Sequence, residues 1–391
     1  MQRLPTWVEV DLDNLLQNIA AIRKHIDPAT RILLVVKADA YGHGAVQVAG
    51  AADSQIDMFG VATVDEATEL RKSGISAGKI LVLSPILEKQ IPRVIEEGYL
   101  VTVSYSHLAA ELSRYAQAAG VRVRIHIETD TGMGRTGVPI EDAEYEISRM
   151  YSLPALDIAG IYTHFPVSDS DPEFTAGQIE RFMALIDALK MRGYDVPLIH
   201  SANSGALDGI TASHMNMVRP GLLAFGHLPN GATGAVPARP VMSWKSRLVQ
   251  IRRIPAGRPI SYGNTFTTAR ETLLGVVPVG YGHGLPFRIS NRGKMLVGGR
   301  RVPVLGRVTM DMTMVDLTDL ETPPRPGDEV VFFGTQNGAT ITLHELAGWA
   351  DTIPYEILCG ISKRVPRTYL RKGKVEAYKS LLGVIANHVY T

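Results

Sequence analysis

Through about residue 240, short apolar, β-rich runs alternate with stretches whose apolar residues recur every three or four positions. The runs Ile32–Val36, Met58–Ala62, Ile80–Leu83, Leu100–Val103, Val121–Ile127, Ile158–Tyr162, Leu198–His200 and Met217–Val218 predict eight strands. Between them the spacing predicts helices. Asp13–His25 carries Leu15, Leu16, Ile19 and Ile22 on one face, with Asp11 or Asp13 as its cap; Val64–Lys72 stops before Gly74. Ser106–Ala119 runs from a serine cap to Gly120, and Thr175–Arg192 ends at Gly193, where glycine supplies a left-handed turn. Alternating β and α at this spacing predicts an α/β fold with parallel strands and helical crossovers. Eight units in about 240 residues match a (β/α)8 TIM barrel. After Pro240 the period shortens. Trp244–Ile254, Thr272–Pro278, Lys294–Val297, Arg301–Val308, Met312–Leu317 and Glu329–Phe333 read as strands between Gly, Asn, Pro and Asp turns, with one short helix near Leu343–Ala350. The expected organisation is a barrel over 1–240 and a mainly β C-terminal domain over 241–391.

Composition narrows the function classes. The chain has 391 residues, 45% of them apolar and 20% charged, and a formal net charge of +1. It can build a large core, and it lacks the basic field of a dedicated nucleic-acid binder or a polybasic membrane anchor. No apolar run reaches membrane-spanning length, and Met1–Trp7 has no signal-peptide pattern. The single Cys359 excludes an internal disulfide and a thiolate cluster. The expected compartment is the cytoplasm.

In a barrel of parallel strands, the carboxyl ends of the strands line the active face. Lys37 ends the first strand, Arg135 follows the fifth, His164 the sixth, Asn203 and Ser204 the seventh, and Arg219 with Gly221 the eighth. A lysine leaving an apolar strand reads either as a snorkelling surface charge or as a buried amine fit to act as a base or Schiff-base former. The stretch Lys37-Ala-Asp-Ala-Tyr-Gly-His-Gly44 is neither a Walker loop nor a dinucleotide fingerprint. Either its glycines make a plain βα turn, or Tyr41 shares the cavity of Lys37. Ser204 and the backbone of Gly221-Leu222 stand where barrels commonly take a phosphate. His43, His126, His214 and His283 lack ligand spacing, so they read as packed or solvent-facing residues, and no metal site is predicted. Charged runs such as Arg367–Lys374 read as solvated faces.

The segments Val35-Val-Lys-Ala-Asp-Ala-Tyr-Gly-His-Gly44, Asp130–Gly137, Val218-Arg-Pro-Gly221, Ser261-Tyr-Gly263, Gly280-Tyr-Gly-His-Gly284 and Gly306–Asp311, in this order, resemble the bacterial alanine racemases. The likeness runs from Pro5–Leu12 to Arg364-Val-Pro-Arg367. It implies a pyridoxal 5'-phosphate (PLP) enzyme that interconverts L- and D-alanine as a homodimer with shared sites, supplying D-alanine for peptidoglycan.

By resemblance, Lys37 carries PLP; Tyr41, Ser204, Gly221, Leu222 and Tyr355 hold its phosphate; Arg219 faces the pyridine nitrogen and His164 orients Arg219. Tyr262, from the partner subunit, is the second acid/base. Arg135, Met310 and Asp311 line the substrate pocket, Met310 and Asp311 also coming from the partner, and Tyr281 supports the site. Two bases on opposite faces of the substrate suit racemisation. An arginine keeps its own proton, so Arg219 would weaken the cofactor as an electron sink and favour plain proton transfer over transamination or elimination.

Some positions depart from the family's pattern. Glu128 stands where many members carry a carbamylated lysine, and we expect it to hydrogen-bond and aim Arg135. Thr309 replaces a common Cys, Gly282-His283 a common Ala-Asp, and Phe287 lies near a frequent entrance Arg. Three rivals are weighed. A broader racemase for serine or lysine is opposed by the bulk of Tyr355. A PLP decarboxylase of the same barrel class would bring a partner cysteine. A non-catalytic PLP carrier would lack the β domain.

Overall fold

The computed structural model describes residues 4–229 and 233–386. Eight parallel strands close into a barrel in the order Leu100–Val103, Ile80–Val82, Met58–Val61, Arg31–Val35, Met217–Val218, Leu198–His200, Leu156–Tyr162 and Val123–Asp130. Closure is made where Val101 pairs with Ile125 and Val103 with Ile127. The strands are short and nearly all their residues are buried, as expected of sheets covered on both faces. Each of the eight expected runs is a barrel strand, with ends shifted by at most three residues.

The helices sit close to their expected ranges. Leu12–His25 starts where Asp11 Oδ1 accepts the amides of Asp13 (2.9 Å) and Asn14 (3.0 Å). Val64–Lys72 carries a full capping box between Thr63 and Glu66. Ser106–Ala118 departs from expectation at its start: the cap position is Tyr105, with no side-chain cap, and Ser106 is already helical. Pro172–Met191 begins a turn earlier than expected, because Asp171 caps the amide of Phe174 and Pro172 fits the first helical position.

The second unit is built on one long sheet. Its strand order is Gln250–Ile254, Thr272–Val277, Thr313–Asp316, Arg300–Leu305, Lys294–Val297, Glu329–Gln336, Met242–Arg247, Thr6–Asp11, Arg367–Arg371, Lys374–Ser380 and Gly383–Ala386. Neighbours are antiparallel except Thr6–Asp11 with Arg367–Arg371. By its contacts the compact β unit takes in the described residues up to Asn14 and Tyr41–His43 as well as the described residues from Pro240 onward. The reason is pairing: Val8 and Val10 are locked between Trp244 and Met242 on one side and Arg367 and Tyr369 on the other. Trp7 and Trp244 are buried, and the Trp244 ring packs, tilted, 4.8 Å from that of Phe332.

Other expectations are corrected here. Trp244–Ile254 is two strands, because the chain leaves Glu329–Phe333 after Arg247 and takes Thr272–Val276 from Gln250. Glu329–Phe333 extends to Gln336 and turns through Asn337-Gly338, both left-handed, into Ala339–Ile341. A second helix, Pro354–Gly360, follows Leu343–Ala350. Arg367–Lys374 is a solvated face only at its end, where Lys372 and Lys374 are exposed. Arg367 is buried and donates to four carbonyls, those of Gly42, Ile361, Ser362 and Val365. Among the described residues no helix is long and apolar enough to cross a membrane.

Candidate active site

The barrel gathers most of the expected residues at the carboxyl ends of its strands. Arg219, only 5% exposed, follows Met217–Val218. Its guanidinium donates to His200 Nδ1 (2.9 Å), the Thr163 carbonyl (2.8 Å), the Ser201 carbonyl (3.0 Å) and His164 Nδ1 (3.3 Å). It also lies 5.1 Å over the Tyr162 ring. Burial pulls its pKa down to about 10, which leaves it cationic at neutral pH.

A guanidinium can only donate, so His200 Nδ1 must accept and His200 Nε2 carries the proton. His126 Nδ1, 2.8 Å away, then accepts in turn, and His126 Nε2–H is left buried without a partner among the described residues. One charge thus sets the tautomers of two histidines. Burial first, and then the charge of Arg219, hold His164 and His200 well below the usual histidine range; for His164, Arg135 and Lys37 add to the effect. Burial also takes His126 down to about 3, so all three rings are neutral. His126 is packed, as its spacing suggests, and in addition relays the Arg219 charge through His200.

Ser204 opens the helix Ser204–Gly209 and is buried. Its Oγ accepts from the amides of Gly221 (3.1 Å) and Leu223 (3.2 Å), so its own proton remains available to an external acceptor. A hydroxyl with a free proton beside a helix start and a Gly-Leu loop is suited to a phosphate. The Nε–H of Arg219 makes no protein hydrogen bond among the described residues, which suits an aromatic nitrogen acceptor. The donors present therefore fit PLP at both its phosphate and its ring.

Lys37 is half-buried and opens a turn in which Ala38, Asp39, Ala40 and Tyr41 have φ of 53°, 54°, 54° and 52°. Four consecutive left-handed residues without a glycine cost about 1–2 kcal/mol each, so roughly 4–8 kcal/mol must be offset by surrounding contacts. Such strain is found where it serves a site.

Glu128 is buried near the end of Val123–Asp130, where its Oε2 accepts from Thr136 Oγ1 (2.7 Å) and Ser104 Oγ (3.2 Å). Its Oε1 approaches Arg135 no closer than 3.9 Å. The expected hydrogen bond to Arg135 is absent. The two hydroxyls hold the carboxylate, and Arg135, half-exposed, feels it as an ion pair.

The β unit carries the remaining expected residues. Tyr41 is buried and its ring lies 5.8 Å from that of Tyr355. Burial, then the neighbouring Tyr355 and Cys359, push the Tyr41 phenol above its ordinary range, so it stays a hydrogen-bond donor. Tyr262 is 72% exposed in a tight turn, between Ser261 (φ 67°) and Gly263 (φ 71°). It shares a surface groove with Thr309, Met312 and Met314. Met310 and Tyr281 are exposed, and Asp311 pairs with Arg364 at 2.8 Å. A Cβ on Gly282 would stand 2.6 Å from the Arg364 guanidinium, so the glycine makes room for this pair. A Cβ on Gly280 would meet the Thr309 carbonyl at 2.0 Å, which explains the glycine there.

His200 and Arg364 were not singled out from the sequence. His200 ends a barrel strand, which is a legible signal; Arg364 acts through Asp311, distant in sequence, and gave none.

Comparison with known proteins agrees with this geometry. The chain matches the family model "Alanine racemase, N-terminal domain" over residues 10–229 and "Alanine racemase, C-terminal domain" over 241–369. It is 40% identical to alanine racemase 2 of Caldanaerobacter subterraneus subsp. tengcongensis, covering 97% of this chain and 98% of that one. With the alanine racemase of Symbiobacterium thermophilum it shares 43% identity, over 93% of this chain and 97% of the relative. The solved alanine racemase of Clostridium difficile superposes with a TM-score of 0.91 at 34% identity, over 96% of this chain and 98% of that one. That of Bacillus anthracis, described with L-Ala-P bound, gives 0.89 at 33% identity, over 98% of each. The barrel and β unit, matched end to end by these named relatives, place the chain among isomerases acting on amino acids. The chain belongs to the alanine racemase family.

Proposed function

We propose that the protein interconverts L- and D-alanine with PLP carried on Lys37, supplying D-alanine for peptidoglycan, and that it works as a homodimer in which Tyr262 of one copy serves the barrel of the other. The cofactor, when bound, supplies an electron-withdrawing ring that delocalises the charge developing at the alanine Cα. Ser204, the Gly221-Leu222 backbone, Tyr41 and Tyr355 would hold its phosphate, and Arg219 its ring nitrogen. The Lys37 amine removes or returns the Cα proton on one face, and the Tyr262 phenol does the same on the other. Arg219 keeps its proton and donates without transferring it, held in place by His164, His200 and two carbonyls. Arg135, with Glu128 behind it, supplies positive charge to the substrate pocket, as Met310 and Asp311 supply its wall from the partner copy.

The observation that most supports this reading is the Arg219 cluster. A buried, fixed cation whose histidine partners are neutral can polarise a ring without changing its protonation. The test is circular dichroism of L-alanine, L-serine and L-lysine solutions incubated with PLP-loaded protein. The reading expects decay of the L-alanine signal to zero, far faster than for the other two, and loss of that decay in Tyr262→Phe. Equal rates on all three amino acids would assign a broad-specificity racemase instead.

A further inference from the structure

We propose that Glu66 is a positioning residue for Lys37: its carboxylate locks the left-handed turn from which the lysine projects. The idea rests on Lys37 being the working amine.

The turn Lys37–Tyr41 begins, like any helix, with amides that have no acceptor inside it. Ala38 N–H, one bond beyond Lys37, is the first of these, and Glu66 Oε1 accepts it at 2.8 Å. The other oxygen of the same carboxylate accepts from Ala62 (2.6 Å) and Thr63 (3.2 Å). Beyond Ala38 the turn is held by groups of its own segment. Ala40 N–H donates to the Val36 carbonyl at 2.8 Å, and Asp39 takes the amides of Gly44 on its carbonyl and Ala45 on its carboxylate, each at 2.8 Å. Glu66 is thus the clasp at the Lys37 end.

Its position explains why it can do this. Glu66 is the third residue of Val64–Lys72, the helix that follows the barrel strand next to Arg31–Val35, with Val35 paired to Gly60. A capping box requires only that such a glutamate return to the amide of Thr63. The bond to Ala38 is additional. It ties the loop after one strand to the loop after its neighbour, at the residue that follows the amine.

Two substitutions separate the roles. Glu66→Gln keeps size and helix propensity but replaces one acceptor oxygen by an N–H₂ donor, so one of the three amides faces another donor. Thr63→Ala removes the hydroxyl that accepts the Glu66 amide at 3.2 Å and weakens the helix cap, leaving the carboxylate in place. Glu66→Asp keeps the charge but falls one methylene short of Ala38, and serves if Glu66→Gln does not accumulate as folded protein.

The measurement is amide hydrogen exchange of residues 36–44 in the apoprotein, joined to kcat, KM and the pH profile of the PLP-loaded enzyme with L-alanine. Glu66→Gln or Glu66→Asp is expected to speed exchange in this segment about tenfold and to lower kcat about tenfold with KM within about twofold, while shifting the alkaline or acid limb of the profile. Thr63→Ala is expected to lower Tm with neither change. Unchanged exchange in both Glu66 variants, or a Thr63→Ala protein that reproduces both effects, would overturn the proposal. Accelerated exchange in a protein whose wild type does not racemise alanine would leave the clasp standing and remove the functional reading instead.

Discussion

Arg219 and Ser204, in the barrel, are 5% and 4% exposed, while Tyr262 and Met310, on the β unit, are 72% and 53% exposed. The barrel residues are held by carbonyls, amides and neutral histidines, so their geometry is set before any ligand arrives. Tyr262 sits on a turn whose left-handed backbone fixes the loop but leaves the phenol in solvent. A base that must meet a Cα in a dry pocket cannot work in that setting. Under the proposed function, the contrast places preset geometry around Arg219 and Ser204 and leaves Tyr262 to be covered by another surface, which we assign to a second copy.

The largest effects are expected at Lys37 and Tyr262, the two bases of the proposed function. Lys37→Ala should abolish PLP-linked colour and lower racemisation by about 10⁴-fold, measured by absorbance and by circular dichroism of alanine. Tyr262→Phe should keep the colour and the Tm yet lose about 10²–10⁴-fold in kcat, because only the proton-carrying oxygen is removed. Colour lost in Tyr262→Phe would mean that the phenol holds the cofactor.

The histidine cluster sharpens the barrel side. His126, His164 and His200 are all depressed, so the folded barrel binds fewer protons than the unfolded chain below the ordinary histidine pKa of about 6.5. Stability contributed by their neutrality is complete above that pH and is lost as pH falls through it, by up to about 1.4 kcal/mol per histidine per pH unit. Denaturant midpoints at pH 7.0, 6.0 and 5.0 should therefore fall steeply, and less steeply in His126→Phe.

The smallest effect is expected at Glu128. Because Ser104 and Thr136, rather than Arg135, hold the carboxylate, Glu128→Gln should cost kcat/KM only about three- to tenfold. A loss as large as that of Tyr262→Phe would place Glu128 in the chemistry itself.

What the sequence could reveal follows from the range of each interaction. The eight barrel strands were legible because each is a short apolar run cut off by turn residues. Lys37, Arg135, His164, Ser204 and Arg219 were legible as polar residues at strand ends. The partner strand of Thr6–Asp11 was not, since Thr6 and Ser246 pair across 240 positions with no local signal. Arg367 looked like part of a charged run because the four carbonyls that bury it are backbone groups, which no side-chain pattern records. Gly282 stood out only as a departure from the family's common Ala; the Arg364 guanidinium, 2.6 Å from where a Cβ would stand, has no local sequence signal. The Asn337-Gly338 hairpin, by contrast, carried a readable turn signal that the pattern of apolar runs alone passed over.

That the exposed phenol of one copy serves the half-buried amine of the other is tested by mixing. Lys37→Ala and Tyr262→Phe proteins, each inactive, are unfolded or dissociated together and allowed to reassociate with PLP. Random pairing gives mixed dimers with one wholly native site, so racemisation should return to about one quarter of the wild-type level. If each chain's tyrosine serves its own lysine, the mixture stays as inactive as its parents.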